Sequence, residues 1–326
     1  MHIVLSRTDR VGDLILTTPT IATMRRSFPD AKITAVCSQH NAAVLDGSPD
    51  VDEVVIAPAD MPPRVFGARF LGDVDLALAL APRAIDMQIV AATGAPRRVG
   101  YTYARRYLTR LVAHRWLSDV LVSEADPARA DRHPELLVRH EVDQVLALAQ
   151  VVGAREIVRD LRISVDERDR AQVGDLPPSP IIVQIGKRWA SEGSTLASLL
   201  QLFRDLRGLG RPLVATYGND GVELAAEIRA AGVADQVIGD LPFRVWAATF
   251  ERAACVVTID TGATHVAAAM GRPTVVLFEY RYFRLNSQEW SPYRVPNAVL
   301  RKPRTSSDAD LRASRAEIVE AVAKLL

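Results

Sequence analysis

Residues 2–37 read HIVLS RTDRVG DLILTTPTIATMRRSF PDA KITAVC, and this stretch decides the fold. His2–Ser6 is a short apolar run with strand character, and Arg7–Gly12 is a polar turn. Asp13–Phe28 reads as a helix that Pro19 is expected to bend, and Lys32–Cys37 as a second apolar strand. Near-continuous apolar strands that alternate with helices predict a parallel sheet covered on both faces.

The alternation continues outward. A helix is expected near Asn41–Leu45, with strands at Val51–Ala57 and Val74–Ala81. Tyr101–Val122 reads as an Arg-rich, aromatic helical segment, and Glu135–Val152 as a longer helix. Val165–Pro180, with its DERDR run and LPPSP, is polar and proline-rich and reads as an interdomain linker. Beyond it, strands are expected at Ile181–Ile185, Pro212–Tyr217, Gln236–Ile238, Ala254–Ile259 and Thr274–Phe278. Helices are expected near Leu196–Gly208, Gly221–Ala231, Phe243–Arg252 and Ala263–Met270. The fold class is therefore α/β, with two Rossmann-like doubly wound domains, 1–165 and 166–326, facing a central cleft. Whether the C-terminal helix, Arg315–Leu326, packs back on the first domain stays open.

Composition narrows the function. A chain of 326 residues can bury two cores, and 48% apolar with 24% charged residues suits an ordinary globular protein. A formal net charge of +1 gives no bulk reason to expect nucleic acid as a partner. Lysine is scarce, with only Lys32, Lys187, Lys302 and Lys324, which makes an interior lysine conspicuous. Cys37 and Cys255 lie far apart in apolar strands and read as reduced core residues. The chain opens on a strand pattern without a signal-peptide-like segment, and no apolar run reaches the roughly 20 residues of a membrane span. A cytoplasmic protein, at most touching the inner membrane face, is the expectation.

In open parallel sheets ligands bind beyond the C-terminal strand ends, where Arg7–Asp13 lies. This turn lacks the G-x-G-x-x-G spacing of a dinucleotide oxidoreductase. It offers instead a carboxylate at a helix start, Asp13, able to accept a proton from a sugar hydroxyl or simply to cap the helix, with Asp9 as a rival. In the second half Asp260-Thr261-Gly262-Ala263-Thr264-His265 follows an apolar strand and opens a small-residue helix. Thr261 and Gly262 would present N–H groups and a hydroxyl to a diphosphate, Asp260 could hold sugar hydroxyls, and His265 could reach the phosphates or pack. Lys187 follows a strand edge and suits a leaving diphosphate, while Trp189 could wall the pocket or pack on the core. Gly218 and Glu223 follow the next strand, where Glu223 could bind ribose or be solvated. The segment Tyr101–Trp116 interleaves Arg105, Arg106 and Arg110 with Tyr103 and Tyr107, a pattern suited to an anionic acceptor or to a solvated arginine face.

The stretch SRTDRVGDLILTTPTIATMRRSFPDAKIT resembles the opening of glycosyltransferase family 9, the ADP-heptose:lipopolysaccharide heptosyltransferases. Further similar segments follow in order: AATGAPRRVGY at Ala91–Tyr101, HEVDQVLALAQVVG at His140–Gly153, KRW at Lys187–Trp189 and IDTGATHVAAAMGRPTVVLF at Ile259–Phe278. The resemblance implies a GT-B fold and an inverting, metal-independent transfer without a cofactor. It implies Asp13 as general base and a nucleotide-sugar donor, ADP-heptose, bound by Lys187, Trp189, Gly218, Glu223, Asp260, Thr261, Gly262 and His265. The acceptor would be a lipopolysaccharide-core or related glycan, met by Arg7, Asp9, Arg10, Arg105 and Arg106.

After the final strand many relatives carry a Gly-Pro-Thr-Asp-Pro-like loop. Here the chain reads Glu279-Tyr280-Arg281-Tyr282-Phe283-Arg284, bulkier and carrying both charges. That departure leaves alternatives beside the heptosyltransferase reading: a transferase of the same family using another nucleotide sugar, a non-catalytic nucleotide-sugar-binding paralogue, and a different GT-B enzyme such as a nucleotide-sugar epimerase, which would not be expected to carry the VGDLILTTP opening.

Overall fold

The computed structural model describes residues 1–104, 106–123, 135, 138–191 and 193–326. These form two compact units, Met1–Ser164 and Val165–Leu326.

The first unit runs β1 (His2–Arg7), α1 (Val11–Ser27), β2 (Lys32–Cys37), β3 (Glu53–Ile56), α2 (Pro63–Gly67), β4 (Leu76–Ala79), α3 (Ala84–Ala92), β5 (Arg97–Tyr103), α4 (Tyr107–Trp116), β6 (Asp119–Ser123) and α5 (Glu141–Val151). Its strands pair in the order β3-β2-β1-β4-β5-β6 and all pairings are parallel. The second unit runs α6 (Glu167–Gln172), β7 (Ile181–Ile185), α7 (Leu196–Arg207), β8 (Leu213–Tyr217), α8 (Val222–Ala230), β9 (Gln236–Gly239), α9 (Phe243–Glu251), β10 (Cys255–Ile259), α10 (Gly262–Ala269), β11 (Thr274–Phe278), α11 (Phe283–Glu289), β12 (Asn297–Arg301) and α12 (Asp308–Leu325). Its order, β12-β11-β10-β7-β8-β9, is the same topology read from the other edge. The strand order in each sheet therefore reverses once, between β1 and β4 and between β7 and β10. Those switch points are where a doubly wound sheet leaves a crevice for ligand.

The central strands are buried throughout: every residue of β7, β10 and β11 is buried, as is β1 beyond His2. Each large aliphatic side chain so enclosed contributes about 1.5–3 kcal/mol, which is why these runs carry no polar alternation. Both cysteines are buried free thiols, pushed up to about 12 chiefly by burial.

Several boundaries differ from expectation for identifiable reasons. Helix α1 begins at Val11 with Arg10 as its N-cap, so Asp13 lies in the first turn and does not cap it. Pro19 sits inside α1, and the Ile15 carbonyl that its missing N–H would have served accepts instead from Thr18 Oγ1 at 2.7 Å. The segment Tyr101–Val122 is not one helical stretch: α4 is flanked by the end of β5 and by β6. The DERDR run is a helix, α6, stopped at its start by a capping box between Asp166 and Asp169. The end of the chain forms α12, which packs on α7, β10, β11 and β12 of its own unit through Leu311, Ile318, Ala321 and Val322. Among the described residues no helix is long and apolar enough to cross a membrane.

Candidate active site

The switch point of the first unit is organised around Arg7, the last residue of β1. Its side chain is 3% exposed, with Nε on Asp9 at 2.9 Å, Nη1 on Glu141 at 2.8 Å and Nη2 on Asp13 at 3.5 Å. Nη1 also donates to the Leu80 carbonyl at the end of β4. Glu141, the first residue of α5, accepts a second bond at 2.7 Å from the buried Tyr101 hydroxyl. The Arg7 guanidinium thus meets internal partners with all three of its nitrogens. It is the hub that gathers the carboxylates.

One buried guanidinium faces three acidic groups. Burial alone would lower the Arg7 pKa, but Asp9, Glu141 and their neighbours together hold it well above its ordinary value. Burial raises the carboxyls of Asp9 and Glu141 above the usual range, and Asp13 adds like-charge repulsion to both. Asp13 is 6% exposed at its side chain and is gripped from the solvent side by Arg10 Nε at 2.7 Å. Arg10 is itself 75% exposed, so this contact to Asp13 lies on the solvent side of the cluster. Arg106 lies with its guanidinium 4.8 Å from the Tyr103 ring, and Tyr103 is edge-on to Tyr101 at 6.3 Å, which joins Arg106 to the same cluster. Arg105 lies outside the described residues.

Beneath the turn sits a carboxyl that the sequence reading missed. Asp86 on α3 is wholly buried and accepts from Ser6 Oγ (3.0 Å), the Thr8 N–H (2.9 Å) and Thr8 Oγ1 (3.1 Å), pinning the turn from below. Burial, then Asp9, pushes it up to about 6. A carboxyl raised in the folded state binds more protons there than in the unfolded chain. It therefore lowers stability as pH rises from about 4 to about 6. At about 1.4 kcal/mol for each pH unit between the two values, the loss is about 3 kcal/mol. Urea unfolding across this range should show that slope in the wild type and a flatter one in Asp86→Asn. Equal slopes would remove Asp86 as its source.

A cavity of about 280 Å³ opens beside this cluster, lined by Tyr101, Leu121, Ser123, Arg139 and Gln144 among others.

The second unit builds its site at the other switch point. Asp260 follows β10, Thr261 is the N-cap of α10 with extended backbone, and Gly262 opens the helix. Among the described residues no side chain caps this end; the Thr264 N–H donates to the Thr261 carbonyl at 3.1 Å, which leaves the Gly262 and Ala263 N–H groups to an anion. Thr261 Oγ1 donates to the Ile259 carbonyl at 3.2 Å, which fixes the hydroxyl beside that end. His265 is 5% exposed, one turn into α10.

Lys187 opens a 3₁₀ turn, Lys187–Ala190, beyond β7 and is exposed, as are Gly218 and Glu223 beyond β8. Among the described residues no hydrogen bond or ion pair ties Lys187 or Glu223 to Asp260. Trp189, for which a pocket wall and a core position were both open, is 4% exposed in the core with its indole N–H on the Gln184 carbonyl at 2.7 Å, so it supports the turn from beneath. Tyr217 is held by packing also: a Cβ at Gly239 would meet its ring at 2.2 Å, and Arg229 donates to its hydroxyl at 2.9 Å. Arg188, overlooked in the sequence, pairs with Glu279 at 2.9 Å and reaches the Asp260 carboxylate at 3.7 Å. Among the described residues no three His, Cys, Asp or Glu side chains converge as a metal set.

Two Rossmann-like units, each six parallel strands with flanking helices, give this chain the GT-B fold. Within that class its likeness is to family 9. Residues 208–317, all in the second unit, match the sequence profile of glycosyltransferase family 9 (heptosyltransferase). The structure resembles a family 9 glycosyl transferase from Veillonella parvula with a TM-score of 0.78 and 18% identity, covering 99% of this chain and 96% of that one. It resembles ADP-heptose lps heptosyltransferase II of E. coli at 0.74 and 19%, covering 100% and 98%. It also resembles E. coli heptosyltransferase WaaC with ADP at 0.71 and 16%, covering 98% and 100%. At these identities the structural likeness is one of fold. No curated protein sequence matches the chain.

Proposed function

We propose that the chain is an inverting, metal-independent transferase that moves a sugar, heptose from ADP-heptose, onto a hydroxyl of a lipopolysaccharide-core or related cell-surface glycan. The first unit takes the acceptor and the second the donor. The observation that carries this reading is the matched pair of switch points: a carboxylate-bearing turn in one unit and an uncapped helix N-terminus in the other. Asp13 takes the proton of the acceptor hydroxyl as its oxygen attacks the anomeric carbon. The bond from that carbon to the diphosphate oxygen breaks, and its electron pair leaves with the nucleotide diphosphate. The α10 N-terminus and Lys187 receive the charge that develops there. The cavity beside Tyr101 supplies space for a sugar of the acceptor.

The test is nucleotide release from ADP-heptose and, separately, from UDP- and GDP-sugars, with and without lipopolysaccharide-core acceptors. Acceptor-dependent release from ADP-heptose is the expected result. Release from another donor alone would move the donor assignment, and binding without release would make the protein a non-catalytic binder. Lys187→Ala should slow turnover on the order of 10²-fold, the cost of removing one charge-stabilising donor. Unchanged kinetics would take Lys187 out of the site.

The reading places the protein at the cytoplasmic face of the inner membrane. Support comes from α4, whose outward face shows Tyr107 (65% exposed), Leu108 (81%) and Leu111 (72%), with Arg106, Arg110 and Arg115 alongside and no acidic residue on the helix. Co-sedimentation with phosphatidylglycerol vesicles should exceed that with phosphatidylcholine vesicles. It should fall about tenfold or more in Leu108→Asp/Leu111→Asp, since each lost apolar contact is worth about 1.5–3 kcal/mol. Equal sedimentation of wild type and variant would remove α4 from the contact.

A further inference from the structure

Lys302 is the first residue past β12 and one of four lysines in the chain. Its side chain is 0% exposed. An ammonium is rarely enclosed so completely without close partners, because its lost hydration must be replaced. Here Nζ donates to the Arg188 carbonyl, to the Ser191 carbonyl at 3.2 Å and to Glu279 Oε1 at 3.0 Å. The same Glu279 oxygen accepts from Arg188 Nε at 2.9 Å. Arg188 Nη1 continues to the Asp260 carbonyl.

The chain Lys302–Glu279–Arg188–Asp260 draws one residue from beyond each of β12, β11, β7 and β10. It crosses the switch point of the second unit under the α10 N-terminus. Lys302 holds the 3₁₀ turn by its main chain as well, through two carbonyls on either side of Trp189 and Ala190. A second clamp lies one step further on. Gly193, at φ +85°, approaches the Pro303 carbonyl so closely that a Cβ would meet it at 2.4 Å. The bulky loop after β11 is tied down in parallel, since Arg301 donates to the Tyr280 carbonyl at 3.0 and 2.7 Å with its guanidinium 3.6 Å from the Tyr280 ring centroid. At the start of this loop the Glu279 charge is thus answered by Lys302 and Arg188, and the Tyr280 carbonyl by Arg301.

We infer that Lys302 is a positioning residue for the donor diphosphate: through Glu279, Arg188 and the turn carbonyls it sets Lys187 and Asp260 against the start of α10. The inference rests on the donor reading above. Lys302 meets no substrate itself, so its loss should be felt where the diphosphate is bound and not where the nucleoside is.

The test is calorimetric titration of the full chain with ADP, UDP and GDP, and with the nucleoside of whichever diphosphate the wild type binds. Lys302→Met and Glu279→Gln are compared with the wild type. Glu279→Gln, nearly isosteric, carries the test if Lys302→Met does not fold. The expected result is a loss of about tenfold or more for the diphosphate, from the weakened charge-assisted contacts, with the nucleoside held within about twofold. In transfer assays the donor KM should rise more than kcat falls. Equal losses for diphosphate and nucleoside, or none for either, would overturn the inference while leaving the donor site standing. A wild type that binds none of the three diphosphates would overturn the donor reading and this inference with it.

Discussion

Asp13→Asn should lower acceptor-dependent sugar transfer by about 10²- to 10⁴-fold while donor nucleotide still binds, the range lost when a positioned general base is removed. The substitution keeps the side-chain volume, so the Arg7 and Arg10 contacts at 3.5 and 2.7 Å lose charge but not shape. Asp9→Asn is the informative partner. Asp9 shares the turn and its carboxyl is raised by burial, yet its side chain is turned onto Arg7 Nε. Transfer and binding measured in parallel separate the roles. Full transfer by Asp13→Asn with a large loss in Asp9→Asn would hand the base to Asp9.

Arg7→Met should cost the first unit about 3–5 kcal/mol, the penalty for leaving buried carboxylates without their cation. Asp9 and Glu141 both face Arg7 from sites under 15% exposed, and neither has solvent to fall back on. Glu141 is the harsher case, since its Oε2 has no hydrogen bond among the described residues. Removing that charge as well should recover part of the loss, so Arg7→Met/Glu141→Gln is expected to be more stable than Arg7→Met alone. Urea unfolding followed by a probe in the first unit reads both. Additive losses would mean that Arg7 and Glu141 do not act as a pair.

What could be read from the sequence was local. The strands of the second unit are legible because β7 and β11 are apolar but for Gln184 and Thr274, as burial on both faces demands. The strands β5 and β6 were hidden for the opposite reason. Arg97, Arg98 and Asp119 lie at their starts, near the edge of the sheet where one flank meets water, and their charge masks the strand pattern. Asp13 was visible as a candidate because its turn follows the first strand. Its partners were not: Glu141 meets Arg7 across 134 positions, and no short window contains both. Lys302 was conspicuous only by rarity, since its three acceptors come from two other loops.

The two buried thiols give the protein a built-in reporter. Cys37 closes β2 in the first unit and Cys255 opens β10 in the second, so each unit contains one. With both thiols pushed up to about 12, neither is a thiolate near neutrality, and an alkylating reagent should pass the native chain by. Once a unit opens, its cysteine recovers ordinary reactivity. Pulse labelling read peptide by peptide therefore clocks the opening of each half in one experiment, without introducing a foreign label.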